Sequence, residues 1–312
     1  MPIDAAAALA APPRTTDLSW DSKDVLLYHL GVGAGAHRPA TDPDELRYTY
    51  EKDLQVLPSF VTVAGGGLAK AGAFDQPGLR LDLAKVLHGG QRIELHRPVP
   101  ASGSAVLTSR LAAVYDKGKA AVLVMRSEAA DDGGPLWTCD TEIFVRGEGG
   151  FGGERGVSRR VTLPERAPEW EREVPVRHDQ ALLYRLSGDW NPLHADPDFA
   201  KLAGFDRPIL HGLCSYGTTL KTVVDTALGG DASRVLGYST RFAGVFFPGE
   251  TLRVRIWDEG GGEGEGGGEG DGEGEGGGEG DGEGSLVITA SAVERADAPV
   301  LADTVLTYHP SH

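Results

Sequence analysis

The chain has 312 residues and a formal net charge of −16, and 40% of its residues are hydrophobic while 24% are charged. This composition is typical of soluble globular proteins. It excludes a membrane helix, since no apolar run approaches roughly 18 residues, and it disfavours a nucleic-acid partner, which calls for a basic face. The two cysteines, Cys139 and Cys214, lack metal-ligand spacing, so the sequence predicts neither a metal site nor a redox cofactor.

The two ends of the chain carry no targeting signal that the sequence reveals. Residues 1–16 are rich in Ala and Pro and are expected to be loose. They lack the basic region that precedes the apolar part of a secretory signal, and the final Tyr-His-Pro-Ser-His is not a Ser-Lys-Leu address. The sequence therefore predicts a cytoplasmic protein.

The first half of the chain reads as helices followed by strands. A helix is predicted to begin near Asp21 or Ser22 and to end in the glycine-rich residues 31–35, and a second begins after Asp42 with Pro43 in its first turn. Residues 58–70 are expected to form a buried apolar helix. The strands predicted after residue 80 comprise 92–97, a hairpin of 105–115 and 120–127 around the turn 116–118, and 137–146.

The second half repeats this order after a glycine-rich link at 147–156. The predicted elements are a short helix at 196–203, a long helix from His211 to Leu228, and strands at 235–243, 251–257, 285–295 and 300–308. The strand sets of the two halves are similar, which fits two copies of one unit made of a long helix and an antiparallel sheet. The predicted class is α+β, with units at 1–150 and 157–312.

An acidic repeat interrupts the second unit. The segment 258–284 holds eleven acidic residues and no basic one, and residues 262–271 recur letter for letter at 272–281. The repeat contains no apolar residue that could be buried, so it is expected to be a disordered loop between two strands. An inert expanded repeat and an acidic interaction arm both remain open.

A short polar motif at 184–194 carries the functional signal. Asp189 and His194 stand five residues apart with Asn191 and Pro192 between them. Because Pro192 disfavours helical geometry at Asn191, the segment is expected to form a tight loop that turns Asp189, Asn191 and His194 toward one point. A carboxylate and an imidazole so placed can share one water molecule, although Gly-Asp followed by Asn-Pro is also an ordinary turn sequence.

The string YRLSGDWNPLH at 184–194, with FDRPILHGLC at 205–214, resembles the hydratase 2 motif of the (R)-specific enoyl-CoA hydratases in the MaoC-like family. It resembles especially the hydratase unit of peroxisomal multifunctional enzyme type 2. The resemblance extends to LLYHLGVGAG at 26–35, VLHGGQ at 86–91 and FVRGEGGFGGE at 144–154. It covers nearly all of the chain except the first dozen residues and about 258–284, where the family has a short turn.

The resemblance implies a double hot-dog fold, in which each of two units is a long helix wrapped by a curved antiparallel sheet. A homodimer is expected, with an acyl-CoA-binding first unit and a catalytic second unit. The first unit has no equivalent of the Asp-x-Asn-Pro-x-His motif, so it is expected to be non-catalytic. The implied reaction is the reversible hydration of a trans-2-enoyl-CoA to a (3R)-3-hydroxyacyl-CoA. CoA is then part of the substrate, and no separate cofactor or metal is expected.

The resemblance assigns roles to individual residues. Asp189 and His194 would hold and activate the water, Asn191 would orient water or substrate or merely form the turn, and the Gly212 N–H would receive the thioester oxygen. The implied substrate-binding residues are His88, Gly89, Lys117, Asp189, Trp190, Asn191, Pro192, Leu193, His194, Gly212 and Phe242.

Two other functions remain open at this stage. The chain could be a dehydratase that runs the reaction in reverse on acyl carrier protein, which would need a basic docking patch. It could also be a non-catalytic hot-dog scaffold subunit, although the complete set of Asp189, Asn191 and His194 argues against that.

Overall fold

The computed structural model describes residues 3–38, 41–64, 77–82, 85–260 and 282–310. Its strands form one antiparallel sheet of ten, in the order β1-β3-β4-β5-β2-β7-β10-β9-β8-β6. They are β1 Arg14–Trp20, β2 Val86–Leu95, β3 Gly103–Asp116, β4 Ala120–Asp131, β5 Gly134–Arg146, β6 Trp170–Pro175, β7 Val235–Phe242, β8 Thr251–Gly260, β9 Gly284–Ala292 and β10 Ala298–Tyr308.

The helices lie before and between these strands. They are α1 Ala5–Leu9, α2 Ser22–Gly31, α3 Pro43–Thr49, α4 Val61–Ala64, α5 Gln180–Tyr184, α6 Pro197–Leu202 and α7 Gly212–Ala227. The predicted N-terminal signals hold: Asp21 forms a capping box on α2, and Asp42 caps α3 with Pro43 in the first turn. The α+β class is confirmed.

The first five strands and the last five occupy opposite halves of the sheet. The seam between them is the antiparallel pair β2–β7, whose register runs from Gly90 opposite Arg241 to Glu94 opposite Gly237. This seam brings the end of β2 that carries His88 beside the end of β7 that carries Phe242, so residues from both halves can contribute to one site. The division of the chain into units at 1–150 and 157–312 stays a prediction.

The long helix α7 is the central buried helix of the second half. Its residues from Cys214 to Lys221 are all buried, and α2 approaches it so closely that a Cβ at Gly217 would lie 2.6 Å from the Tyr28 hydroxyl. The Lys221 ammonium binds the Glu45 and Asp225 carboxylates at 2.9 and 2.8 Å. Because the Lys221 and Glu45 side chains are buried, this pairing ties α3 firmly to α7.

Helix α2 also anchors the segment that leads into the polar motif. The Gln180 side-chain amide donates to the carbonyl oxygens of Leu30 and Gly31, at 2.9 and 2.5 Å. The rings of Tyr28 and Tyr184 lie 6.1 Å apart. The start of the motif is thus fixed against the glycine-rich end of α2.

Two sequence expectations need correction, and one strand was not predicted. Of residues 1–16, which were expected to be loose, the described residues 3–16 contain α1 and the beginning of β1, and β1 pairs with β3. Strand β6, which the sequence did not reveal, pairs with β8 at the edge of the sheet. The strand expected at 285–295 ends at Ala292 and is followed by a 3-10 turn.

Parts of two predicted elements lie outside the described residues. The expected helix at 58–70 is described to residue 64, where a 3-10 turn at Pro58–Phe60 leads into α4 with Val61, Thr62 and Val63 buried. Most of the acidic repeat, from 261 to 281, is likewise outside them. None of the helices in the described part combines the length and apolar character that crossing a membrane requires.

Candidate active site

The polar motif folds as the sequence predicts, into a tight loop. Asn191 has φ −55° and ψ 123°, and this extended ψ rules out helical geometry at the residue before Pro192. The Asp189 carboxylate accepts a hydrogen bond from the Asn191 N–H at 3.1 Å, and the Asn191 side-chain oxygen accepts one from the Leu193 N–H at 3.0 Å. The Asn191 side chain therefore caps a 3-10 turn at Pro192–His194, which is its predicted turn-forming role.

This loop brings an acid and two imidazoles together. Asp189, His194 and His211 each offer an oxygen or nitrogen atom, and the three atoms lie within 4.8 Å of one another. Asp189 is exposed, whereas both histidines are buried. The carboxylate thus faces solvent and the imidazoles form the inner wall of the site.

The hydrogen bonding of His194 fixes its tautomer. Its Nδ1 atom lies 2.9 Å from the carbonyl oxygen of Ile209, and because a carbonyl oxygen only accepts, Nδ1 carries the proton. In the neutral ring Nε2 then offers a lone pair. Burial lowers the pKa of His194, although the Ile209 carbonyl and the Asp189 carboxylate act in the opposite direction. A neutral imidazole with an available Nε2 can accept a proton.

His211 stacks directly on His194. The ring centroids are 3.7 Å apart and the planes differ by 28°, while the His211 Nε2 atom lies 3.3 Å from the Asp189 carbonyl oxygen. Burial also lowers the pKa of His211, and the neighbouring His194 lowers it further. Two imidazoles in face contact cannot both carry a charge without strong repulsion.

These three residues do not fit a metal centre. An imidazole directs its in-plane lone pair at a bound ion, with a metal–nitrogen distance of about 2.0–2.1 Å for zinc. The rings of His194 and His211 are stacked and only 28° from parallel, so their lone pairs point side by side instead of meeting at one position. The arrangement suits proton transfer better than metal ligation.

The N-terminus of α7 completes one side of the site. Gly212 is its first residue and His211 its N-cap, and the first backbone N–H groups of a helix have no partner within the helix. A Cβ at Gly212 would lie 3.0 Å from the Phe242 ring, so glycine is required for close packing here. The N–H end of the helix can receive a negatively polarised oxygen.

The first half of the chain contributes His88 to the same place. The rings of His88 and Phe242 have centroids 4.6 Å apart, and the His88 Nε2 atom lies 3.1 Å from the Gln91 side-chain oxygen. Burial lowers the pKa of His88 to about 4, with Asp189 among the groups that act in the opposite direction. Gly89 lies at the register shift between His88 and Gly90, where β2 is irregular.

The remaining predicted residues lie farther out. Trp190 is 58% exposed, and the Arg185 guanidinium stacks 4.7 Å from its ring centre. Pro192 is exposed and Leu193 is half-buried. Lys117, in the β3–β4 turn, donates to the Arg155 carbonyl oxygen, and β4 and β5 separate β3 from β2. At about 4.8 Å per strand, three strand spacings separate the strand that precedes Lys117 from β2, which carries His88.

A cavity of about 320 Å³ lies between the end of α2, helix α3, strand β6 and helix α7. Charged side chains line it, among them Arg38, Glu45, Arg172, Lys221 and Asp225. Such a lining does not suit an acyl chain, and neither Asp189 nor His194 reaches it.

Sequence reasoning overlooked His211 as part of the acid–imidazole group. It noted the His211-Gly212 pair only as the start of a helix. The repeated His-Gly pair, at His88-Gly89 and His211-Gly212, was the available signal, because the His88 ring and the backbone at Gly212 both lie close to the Phe242 ring.

Comparison with known proteins finds relatives that cover most of the chain. A model of the MFE-2 hydratase 2 N-terminal domain matches residues 18–147, and a model of the MaoC like domain matches residues 159–274. An enoyl-CoA hydratase of Mycobacterium tuberculosis, ChsH3, is 50% identical over 83% of this chain and 91% of its own length. The peroxisomal enoyl-CoA hydratase 2 of Arabidopsis thaliana is 41% identical over 78% of this chain and 84% of its own length.

Solved structures agree on the fold. A MaoC-like dehydratase from Phytophthora capsici has a TM-score of 0.84 at 28% identity and covers 99% of each chain. A Mycobacterium tuberculosis protein described as a double hotdog fold has a TM-score of 0.56 at 12% identity, over 96% of each chain, and shows the fold alone. The predicted double hot-dog architecture is confirmed, and this chain belongs to the hydratase 2 family of MaoC-like proteins.

Proposed function

We propose that this protein is an (R)-specific enoyl-CoA hydratase, a lyase that adds water reversibly to trans-2-enoyl-CoA thioesters to give (3R)-3-hydroxyacyl-CoA. The observation that carries the proposal is the placement of the Asp189 carboxylate and the His194 imidazole within 4.8 Å of each other. Relatives at 50% and 41% identity are named as enoyl-CoA hydratases, which supports the same chemistry here.

Water can occupy the space between the acid and the imidazole as a double donor. One O–H would donate to the Asp189 carboxylate and the other to Nε2 of His194, whose Nδ1 is committed to Ile209. The pair takes one proton as the water oxygen bonds to the β-carbon, and the same pair delivers one proton to the α-carbon, which restores its own protonation state. The hydroxyl and the hydrogen added to the double bond together account for one water, so no cofactor is consumed.

The thioester oxygen gains negative charge while the carbon–oxygen bond forms. The Gly212 N–H at the start of α7 is proposed to stabilise this charge, helped by the positive end of the helix. Phe242 and His88, which contact each other, would then line the passage for the thioester. Gly89, Trp190, Asn191, Pro192 and Leu193 complete the proposed substrate contacts. Lys117 would reach only the distant CoA end.

The test is the stereochemistry of the product. Purified protein incubated with a trans-2-enoyl-CoA should remove the absorbance of the conjugated thioester. Its product should be oxidised by a dehydrogenase selective for the (3R) isomer and not by an (S)-selective one. Oxidation by the (S)-selective enzyme alone, or no loss of the conjugated thioester at any chain length, would refute the proposal.

Dehydration of a (3R)-hydroxyacyl thioester is the second candidate, because it is the same reaction in reverse. A relative from Mycobacterium tuberculosis, 42% identical over 76% of this chain, is named 3-hydroxyacyl-thioester dehydratase Y. Comparing turnover of the same acyl group on CoA and on acyl carrier protein decides between the carriers.

We further propose a homodimer located in the cytoplasm, with no separate cofactor or metal. The family resemblance supports the dimer, and the stacked histidines support a site without a metal. Light scattering of the purified protein tests the dimer, and activity after exhaustive chelation tests the absence of a metal.

A further inference from the structure

The imidazole of His211 has no role in the proposed proton transfers, yet it contacts the ring of His194 and the main chain of Asp189, the two residues that carry them. We propose that His211 is a positioning residue: it supports the His194 ring by stacking and the Asp189 backbone by an N–H hydrogen bond, and so sets their separation. This inference rests on the proposed hydratase function.

The first contact is the face-to-face packing of two rings. The centroids of His194 and His211 lie 3.7 Å apart, and Tyr184 packs on His211 with its ring centroid at 4.9 Å. His211 is only 1% exposed. Held between neighbouring rings in a close-packed interior, His211 limits the tilt of the His194 ring about its Nδ1–Ile209 hydrogen bond.

The second contact fixes the main chain of the acid. The Asp189 carbonyl oxygen, 3.3 Å from His211 Nε2, can only accept, so Nε2 carries the proton. The other ring nitrogen, Nδ1, is buried without a hydrogen-bond partner among the described residues. The features of His211 that the site uses are therefore its ring face and its Nε2–H group.

The third contact joins His211 to the first turn of α7. The His211 carbonyl oxygen accepts hydrogen bonds from the Cys214 and Ser215 N–H groups at 3.0 and 3.2 Å. His211 thus connects the Asp189 loop, the His194 ring and the backbone beside Gly212. An ångström of displacement between reacting groups can cost about 100-fold in rate. A residue that holds these groups in place can therefore affect the rate even though it transfers no proton.

Two substitutions separate the contacts. His211→Phe keeps a flat ring for stacking and removes the N–H donor, whereas His211→Gln keeps an N–H donor at the position of Nε2 and removes the ring. Each should lower kcat for a trans-2-enoyl-CoA by about 10- to 100-fold. The affinity for a saturated acyl-CoA of the same length should change little, because His211 is not placed in the substrate passage.

A double-mutant cycle distinguishes positioning from general structural support. In a His194→Gln background the ring that His211 supports is gone, so adding His211→Gln, which removes the stacking ring but keeps the N–H donor, should change kcat by less than about 3-fold. If His211→Gln costs as much in that background as alone, or if its loss is entirely one of saturated acyl-CoA affinity, the inference is wrong. Wild-type protein that fails to hydrate any enoyl-CoA would instead refute the proposed function.

A measurement on the unmodified protein covers the case in which neither variant folds. Nitrogen-15 spectra of labelled histidines should show His211 neutral with its proton on Nε2 and His194 neutral with its proton on Nδ1. A proton on Nδ1 of His211 would leave the Asp189 carbonyl without its donor and would overturn the inference.

Discussion

The Nδ1 atom of His194 lies 2.9 Å from the carbonyl oxygen of Ile209, so a backbone acceptor and not a carboxylate fixes the tautomer of this ring. Asp189 is therefore not needed to orient the imidazole. Its carboxylate accepts the Asn191 N–H and can also bind water beside His194.

Removing either member of the pair should abolish most of the activity. Asp189→Asn and His194→Gln should each lower kcat for a trans-2-enoyl-CoA by at least about 100-fold, the scale of lost acid–base catalysis. Melting temperatures should remain close to that of the wild type, because Asp189 is exposed and His194 lines the site. Steady-state kinetics and thermal unfolding of each variant check this.

A neighbouring acid provides the matched control for that experiment. Asp198 lies in the first turn of α6, and its side chain is 93% exposed. Asp198→Asn should retain wild-type kcat. If Asp189→Asn behaves like Asp198→Asn, Asp189 takes no part in the proton transfer.

The stability of the fold should fall as the pH is lowered through the titration of His29. Burial lowers the pKa of His29 to about 4 from 6.5. The buried ring donates from Nδ1 to the Tyr48 carbonyl at 2.8 Å and accepts from the Leu57 N–H at 3.1 Å. The unfolded chain therefore binds more protons between these two pH values, and the stabilising effect is complete above pH 6.5 and lost as the pH falls.

The size of this effect follows from the two pKa values. At about 1.4 kcal/mol per pKa unit, His29 should account for roughly 3 kcal/mol of the unfolding free energy lost on acidification. Urea denaturation at pH 7 and pH 4.5 should show a smaller loss for His29→Gln than for the wild type, and an unchanged loss for the exposed His309→Gln. An equal loss in all three proteins would contradict the assignment.

A methyl group at the start of α7 should disturb the proposed thioester site. The Cβ of Gly212→Ala would lie 3.0 Å from the Phe242 ring, so the ring or the helix end must shift. Losing one oxyanion donor lowers kcat by about 100- to 1,000-fold in other enzymes. Displacing the Gly212 N–H without removing it should lower kcat by at least about 10-fold.

Relieving the contact tests whether crowding is the cause. In a Phe242→Leu background, which shortens the side chain, Gly212→Ala should lower kcat less than it does in the wild type. Equal losses in the two backgrounds would show that the Gly212–Phe242 contact is not responsible.

The sequence predicted those elements whose stability comes from apolar burial or from local capping. Helix α7 and the β3–β4 hairpin have clear patterns, and Pro192 correctly predicted the break at Asn191. Strand β6 escaped notice because four of its six residues are exposed and it is held by backbone pairing and ion pairs to β8, such as Glu171 with Arg255 at 2.7 Å. Edge strands of this kind carry no alternating signal.

The stacking of His211 on His194 could not be predicted either. The contact depends on the path of the chain between them, which is set by long-range hydrogen bonds such as Leu210 N–H to the Phe246 carbonyl at 2.7 Å. Periodicity and motif spacing contain no information on such a path. The same limit applies to the contact of His88 with Phe242, which requires the β2–β7 seam.

Deleting residues 261–282 should leave both activity and melting temperature almost unchanged. Gly260 pairs with Ser285 across β8 and β9, so the deletion leaves Glu283 and Gly284 as a two-residue hairpin connection, a length that antiparallel strands favour. The removed residues include no apolar side chain. Closing a shorter loop also costs slightly less conformational entropy. The alternative is an acidic arm that acts on the substrate or a partner through its charge. That arm would make the deletion raise KM several-fold at low salt and much less at moderate salt, because ions screen exposed charges. Kinetics of the intact and shortened proteins at both salt concentrations, with thermal unfolding of each, decide between the two.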